Sequence, residues 1–181
     1  SLVLVMDGKV QWEEGPVRFQ LKPLYQGSLE GKPLNEVNAF WRKLEALSAQ
    51  SDAVRMRIDR LVQKVEAQQV ALQRSAMVPG DLDQALTDYR KQIQALKTQL
   101  DGDPLRLEMG EKVPPTMGER IFSLARSVAY SSYGPTETNG QTVGILEEEL
   151  ATYEAKLTAL EATLAQFNAQ LEAAGAPRIQ D

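Results

Sequence analysis

The chain has 181 residues, of which 43% are hydrophobic and 25% charged, a balance that suits one folded domain, or a domain plus part of another, and gives no sign of wholesale disorder. Its formal charge of −5 argues against general nucleic-acid binding, which needs a basic face to displace counterions. It contains no cysteine and no histidine, which excludes disulfides, thiolate metal sites, Ser-His and Cys-His catalysis and the commonest catalytic-zinc ligand sets.

Residues 1–26 read as β structure. "LVLVM" is a short apolar run, and Asp7–Gly8 is a favoured two-residue hairpin turn before "KVQW". After Glu14-Gly15-Pro16, "VRFQLKPL" alternates apolar Val17, Phe19 and Leu21 with polar neighbours, as a strand with one wet face does. Two or three strands make no stable sheet alone, so this segment is expected to be the edge of a preceding β-sandwich or to lie on the helices. Residues 27–33 are rich in turn formers and read as a linker. The opening residues lack a basic region and a long apolar core, so no signal peptide is expected, and no apolar run reaches the ~20 residues of a membrane span.

From Leu34 the period changes to that of a helix. Leu34, Val37, Trp41 and Leu44 begin an amphipathic stripe. A polar patch at 48–52 interrupts it, and Val54, Ile58, Leu61, Val65, Gln68 and Leu72 continue it in steps of four and three. Met77-Val78-Pro79-Gly80 stops the first helix, and Asp81 or Asp83 can cap a second carrying Leu82, Leu86, Tyr89, Ile93, Leu96 and Leu100. "DGDP" at 101–104 ends it, and an irregular connection follows. A third helix carries Ile121, Leu124, Ala125 and Val128 and halts near Gly134-Pro135. "TETN" offers caps for the last helix, expected over about 142–174, whose stripe runs from Leu146 through Leu150, Tyr153, Leu157, Leu160, Leu164 and Phe167 to Leu171. Gly175 and Pro177 terminate it. The expectation is a mainly α fold: an antiparallel up-and-down bundle of about four long, heptad-patterned helices over 34–177, behind a small β segment, with a tail at 178–181. The same heptads would also support a homodimer.

Without cysteine or histidine, chemistry would fall to carboxylates, Lys, Tyr or hydroxyls. Glu119, Arg120, Arg126, Tyr130 and Tyr133 are the candidate ligand-binding set: a carboxylate, two guanidiniums and a phenol suit an anionic sugar, and the Arg126, Tyr130 and Tyr133 region a glycan or a peptide. Arg126, Tyr130 and Tyr133 share a helix face at i, i+4 and i+7, whereas Glu119 lies at i−7. The plainer expectation is that the small residues of 123–131 permit close helix packing while the tyrosines bury their rings. Glu147-Glu148-Glu149 suits a helix start, since three consecutive helical residues point in different directions. Asp101-Gly102-Asp103 lacks the remaining ligands of a calcium loop. Arg55, Arg57, Arg60 and Lys64 interleave with Asp52, Asp59 and Glu66, giving a mixed ion-paired surface. Trp41 is expected in the core, and Trp12 on the hairpin. No catalytic residue, metal or cofactor is expected.

"PPTMGER", "YGPTETN" and "EAAGAP" together carry a resemblance. With the heptads before them, they make residues 34–177 resemble the C-terminal helical region of bacterial Asp-box-repeat proteins, the sortilin-like β-propeller proteins commonly labelled glycosyl hydrolases. In that family a β-propeller is followed by a small β-sandwich and then this helical tail, so residues 1–26 look like the sandwich's last strands. The resemblance implies a non-catalytic accessory domain, with the rest of the parent chain as its partner, and an extracytoplasmic location. The chain has no Asp-box of its own, so any hydrolase site would lie outside these residues.

Overall fold

The protein is described by a computed structural model covering residues 2–6, 9–15, 30–74 and 80–173. The chain divides into two compact units, Ser1–Gly31 and Lys32–Asp181. In the first, β1 (Leu2–Met6) pairs antiparallel with β2 (Lys9–Glu14), placing Leu2 opposite Glu14 and Met6 opposite Lys9. A bulge between Leu4 and Val5 shifts the register. The Asp7–Gly8 turn, the strand expected over 17–24, the first linker residues, residues 77–79 of the stop signal that ends at Gly80, the final stop at Gly175 and Pro177 and the 178–181 tail all lie outside the described residues, as does the side chain of Trp12.

The second unit is a helical bundle, as the periodicity predicts. It contains α1 (Leu34–Arg74), α2 (Gly80–Asp101), a short α3 (Pro104–Glu108), α4 (Met117–Ala129) and α5 (Glu137–Ala173). Cross-helix pairs fix how these run. Arg55 meets Asp101, Asp59 meets Lys97 and Glu66 meets Arg90, so α2 returns antiparallel along the second half of α1. Gly118 lies beside Arg55, and Gly134 beside Val37 and Lys32, so α4 continues the same return along the first half. Arg57 meets Glu161 and Gln68 meets Asn168, which sets α5 parallel to α1. The bundle therefore has three legs: α1, an interrupted return built of α2 and α4, and α5. At 41 and 37 residues, α1 and α5 extend about 60 and 55 Å.

The core follows the heptads closely in α2, α4 and α5. Leu86, Ile93, Leu100, Leu146 and Leu157 are fully buried, and Tyr89, buried among them, meets the Phe167 ring edge-on at 5.4 Å between centroids. At the start of α1 the stripe differs from the expectation. Leu34 is exposed and Val37 and Trp41 are only half-buried, while Phe40, Leu44, Leu47 and Ser51 form the buried line that joins Val54 and Ile58. The polar residues at 48–52 conceal this continuity, because the core position there is a serine.

The helix ends are set by local hydrogen bonds. Thr116 caps α4 through a capping box: its Oγ1 accepts from Glu119 N, and the Glu119 carboxylate accepts from Thr116 N at 2.7 Å. Thr136 and Asn139 make the equivalent reciprocal pair at the start of α5. That pair starts α5 at Glu137, five residues before the expected 142. At its other end α4 stops at Ala129 with Tyr130 as C-cap, well before Gly134-Pro135. Gly134 instead takes φ +94 in the connecting loop, which folds back until Tyr133 O accepts from Lys32 N at 2.7 Å.

Candidate functional site

The five residues singled out in 119–133 do not converge. Glu119 is engaged in the α4 cap, and the two bonds from Thr116 hold its carboxyl below the usual carboxylate range. Arg120 pairs with Glu149 on α5 at 2.6 Å, the one member of the 147–149 acidic run so engaged among the described residues. Arg126 and Tyr130 are exposed, Tyr130 to 85%, and their side chains have no hydrogen-bond partner among the described residues. Because α4 ends at Ala129, Tyr133 lies on the following loop and does not extend a helix face with Arg126 and Tyr130. No side-chain hydrogen bond or ion pair joins any two of the five.

Two of the basic residues of α1, Arg55 and Arg57, are tied into cross-helix bridges. Arg55 donates from Nε to Asp101 at 2.7 Å and from Nη1 to Asp52 at 3.0 Å. Arg57 grips the Glu161 carboxylate with two bonds, at 3.0 and 2.6 Å, which lowers that carboxyl's pKa. Among the described residues, no group of three or more acidic side chains is placed to hold a metal ion.

Two features that the sequence does not advertise stand out where the middle leg is interrupted. The first is the loop 102–116. Gly102, at φ +83, closes α2, and a Cβ on it would lie 3.1 Å from Thr116 Cγ2, so the loop's two ends touch. Such a closed excursion is an Ω-loop, a form that frequently carries function. Inside it, Asp103 caps α3 by accepting from Leu105 N and Arg106 N, and Arg106 pairs with Glu111 at 2.6 Å. The loop is thus held in shape while presenting Leu105, Leu107 and Met109 to solvent at 68, 64 and 76% exposure. Three large apolar side chains over five residues exceed the isolated exposed apolar residue that any surface shows.

The second is a cleft of about 280 Å³ between α1 and α4. Trp41, Leu44, Ile121, Phe122 and Ala125 give it apolar walls, and Gly118 leaves room at one end. Ser51 also lines it, is only 2% exposed, and its hydroxyl has no hydrogen-bond partner among the described residues. Glu45, Ser48, Asp52 and Arg55 supply its polar lining. The cleft arises because the heptad core position that would hold a leucine holds Ser51, opposite a helix carrying Gly118 and Ala125. A serine in core register facing small residues is the sequence signal for it.

No family model, curated protein or solved structure matches the chain.

Proposed function

We propose that the chain is a non-catalytic docking module: a stiff helical bundle that holds a shaped apolar loop against the β part of a larger polypeptide. The observation that carries this reading is the Ω-loop 102–116, whose ends meet at Gly102 and Thr116 and which exposes Leu105, Leu107 and Met109 within five residues. Burying such side chains stabilises a contact by roughly 1.5–3 kcal/mol each, a gain unrealised in the isolated bundle. The leucine-rich core supports a scaffolding role, since close-packed legs transmit position rigidly. The occupant proposed is the β-sandwich or propeller of an extracytoplasmic Asp-box protein, in line with the resemblance of 34–177 to that family's helical tail. A hydrolase site, if the parent has one, lies on that β part, and the isolated chain is expected to turn over no glycoside.

The test places a photo-crosslinking residue at position 107 in the protein expressed from its natural gene. Crosslinked peptides from the same polypeptide's β-sheet part are expected. Reaction with solvent alone would overturn the reading. The triple variant Leu105→Ser, Leu107→Ser, Met109→Ser should abolish the crosslink from a reporter at Arg106, while the melting temperature of the 181-residue chain alone falls by no more than about 6 °C, because each exposed substitution seldom exceeds 0.5 kcal/mol.

A further inference from the structure

We propose that the α1–α4 cleft is a binding site for a small aryl-alkyl-ammonium group, the chemistry of a one-ring aromatic amine or of an N-terminal phenylalanine. This does not rest on the docking reading, because the cleft is lined by different residues from the loop. Its size selects the ligand first. At about 280 Å³ it falls just below the 300–1,000 Å³ typical of drug-sized ligands, while cavities near 150 Å³ already accept benzene. One ring with a short chain fits that interval.

The lining selects the rest. Trp41 and Phe122 offer aromatic surface, and Phe122 remains 63% exposed although it borders an apolar cleft, so a ring seated there would cover it. Ser51, small and almost wholly removed from solvent, forms the floor and leaves the polar selection to the charged residues of the lining. The charge balance favours a cation. Arg55 is committed to Asp101 and Asp52, which leaves the Glu45 carboxylate, with no partner among the described residues, as the available charge. An ammonium group complements it, and a carboxylate would be repelled.

Nuclear magnetic resonance of the whole chain tests this with 2-phenylethylamine as probe, 2-phenylethanol as its uncharged counterpart and phenylalanyl-glycinamide as the peptide form. The expected result is saturable shifts at the Trp41 indole and along 118–125, with a dissociation constant on the order of 1 mM for so small a ligand. Glu45→Gln, at an exposed position that leaves packing intact, should weaken the amine about threefold and remove its advantage over the alcohol. Ser51→Leu fills the cleft from the floor, and Ala125→Leu from the opposite wall. Either should abolish the shifts, so the test survives if one of them fails to fold. Tighter binding of the free amine or of the peptide identifies the natural source, and both outcomes support the site. Absence of saturation, or identical shifts in every folded filled variant, would overturn the site. Equal affinity for amine and alcohol, unchanged by Glu45→Gln, would overturn the ammonium assignment.

Discussion

Tyr89 shows how much a single residue decides here. Its hydroxyl donates to Leu160 O at 2.7 Å while its ring meets Phe167, so a polar and an apolar contact join α2 to α5 through one side chain. Burial, with the nearby Glu161 charge adding to it, pushes the phenol up to about 12, against an ordinary value near 10. A raised folded-state pKa contributes stability that is fully present below the unfolded value and is lost as pH rises through the folded one. Stability should therefore fall between about pH 10 and pH 12, and denaturant midpoints for Tyr89→Phe should fall less steeply there than the wild type's. At neutral pH Tyr89→Phe keeps the ring packing and loses the hydrogen bond, at about 1 kcal/mol, or roughly 2–4 °C in melting temperature. The sequence placed Tyr89 in the core through its heptad position. It could not name Leu160 as the acceptor, because the partners lie 71 residues apart.

At the scale of elements, the starts of α4 and α5 carry a shared local signal, although the expectation of about 142 placed the start of α5 five residues too late. Both read proline-threonine, then three residues later an acceptor side chain, Glu119 or Asn139, and both cap as that spacing requires. The same two words sit inside "PPTMGER" and "YGPTETN", so the motifs behind the family resemblance are also plain helix-start signals. Glycines separate legible from illegible positions. Gly140 lies within α5, and a Cβ there meets nothing within 4 Å, so Gly140→Ala should stabilise by roughly 0.5–1 kcal/mol. Gly134 combines φ +94 with contacts of 3.1 and 3.2 Å from a Cβ to Val37 and Lys32. Gly134→Ala should cost about 1–3 kcal/mol, and thermal melts of the two variants should shift in opposite directions. Sequence marked Gly134 as a stop for α4, but its constraint comes from the close approach of α1, which no local pattern records.

For the whole molecule, the governing fact is that the long-range legs meet across about 100 residues of sequence, as Arg57 with Glu161 and Gln68 with Asn168 show. Gln68, buried in the apolar seam, donates to the exposed Asn168 at its edge, a polar contact of the kind that fixes register. The contact leaves Gln68 Oε1 without a hydrogen-bond partner among the described residues. Because α2 packs on both α1 and α5, removing 151–181 should unfold more than it deletes. Hydrogen exchange at 86–100 is expected to lose its protection together with helicity beyond the removed turns. Retention of slow exchange at Ile93 and Leu96 would show that α1 and α2 suffice as a pair.

Periodicity and caps determined the existence of α1, α2, α4 and α5, most of the buried face of α2, α4 and α5, and the classes of chemistry closed to a chain without cysteine or histidine, because those are local or compositional properties; the short α3 falls in a stretch that reads as an irregular connection. Only the tertiary structure decided that four long helices make three legs, that α1 turns Phe40 and Leu47 inward in place of Val37 and Trp41, and that Glu119 and Arg120 are occupied by a cap and an ion pair. It also decided where surface features lie: the Ω-loop exists because Gly102 and Thr116 meet, and the cleft because Ser51 faces a helix lined with small residues. Such juxtapositions depend on which distant segments pack together, and that is fixed by the summed burial of the whole core rather than by any stretch of it.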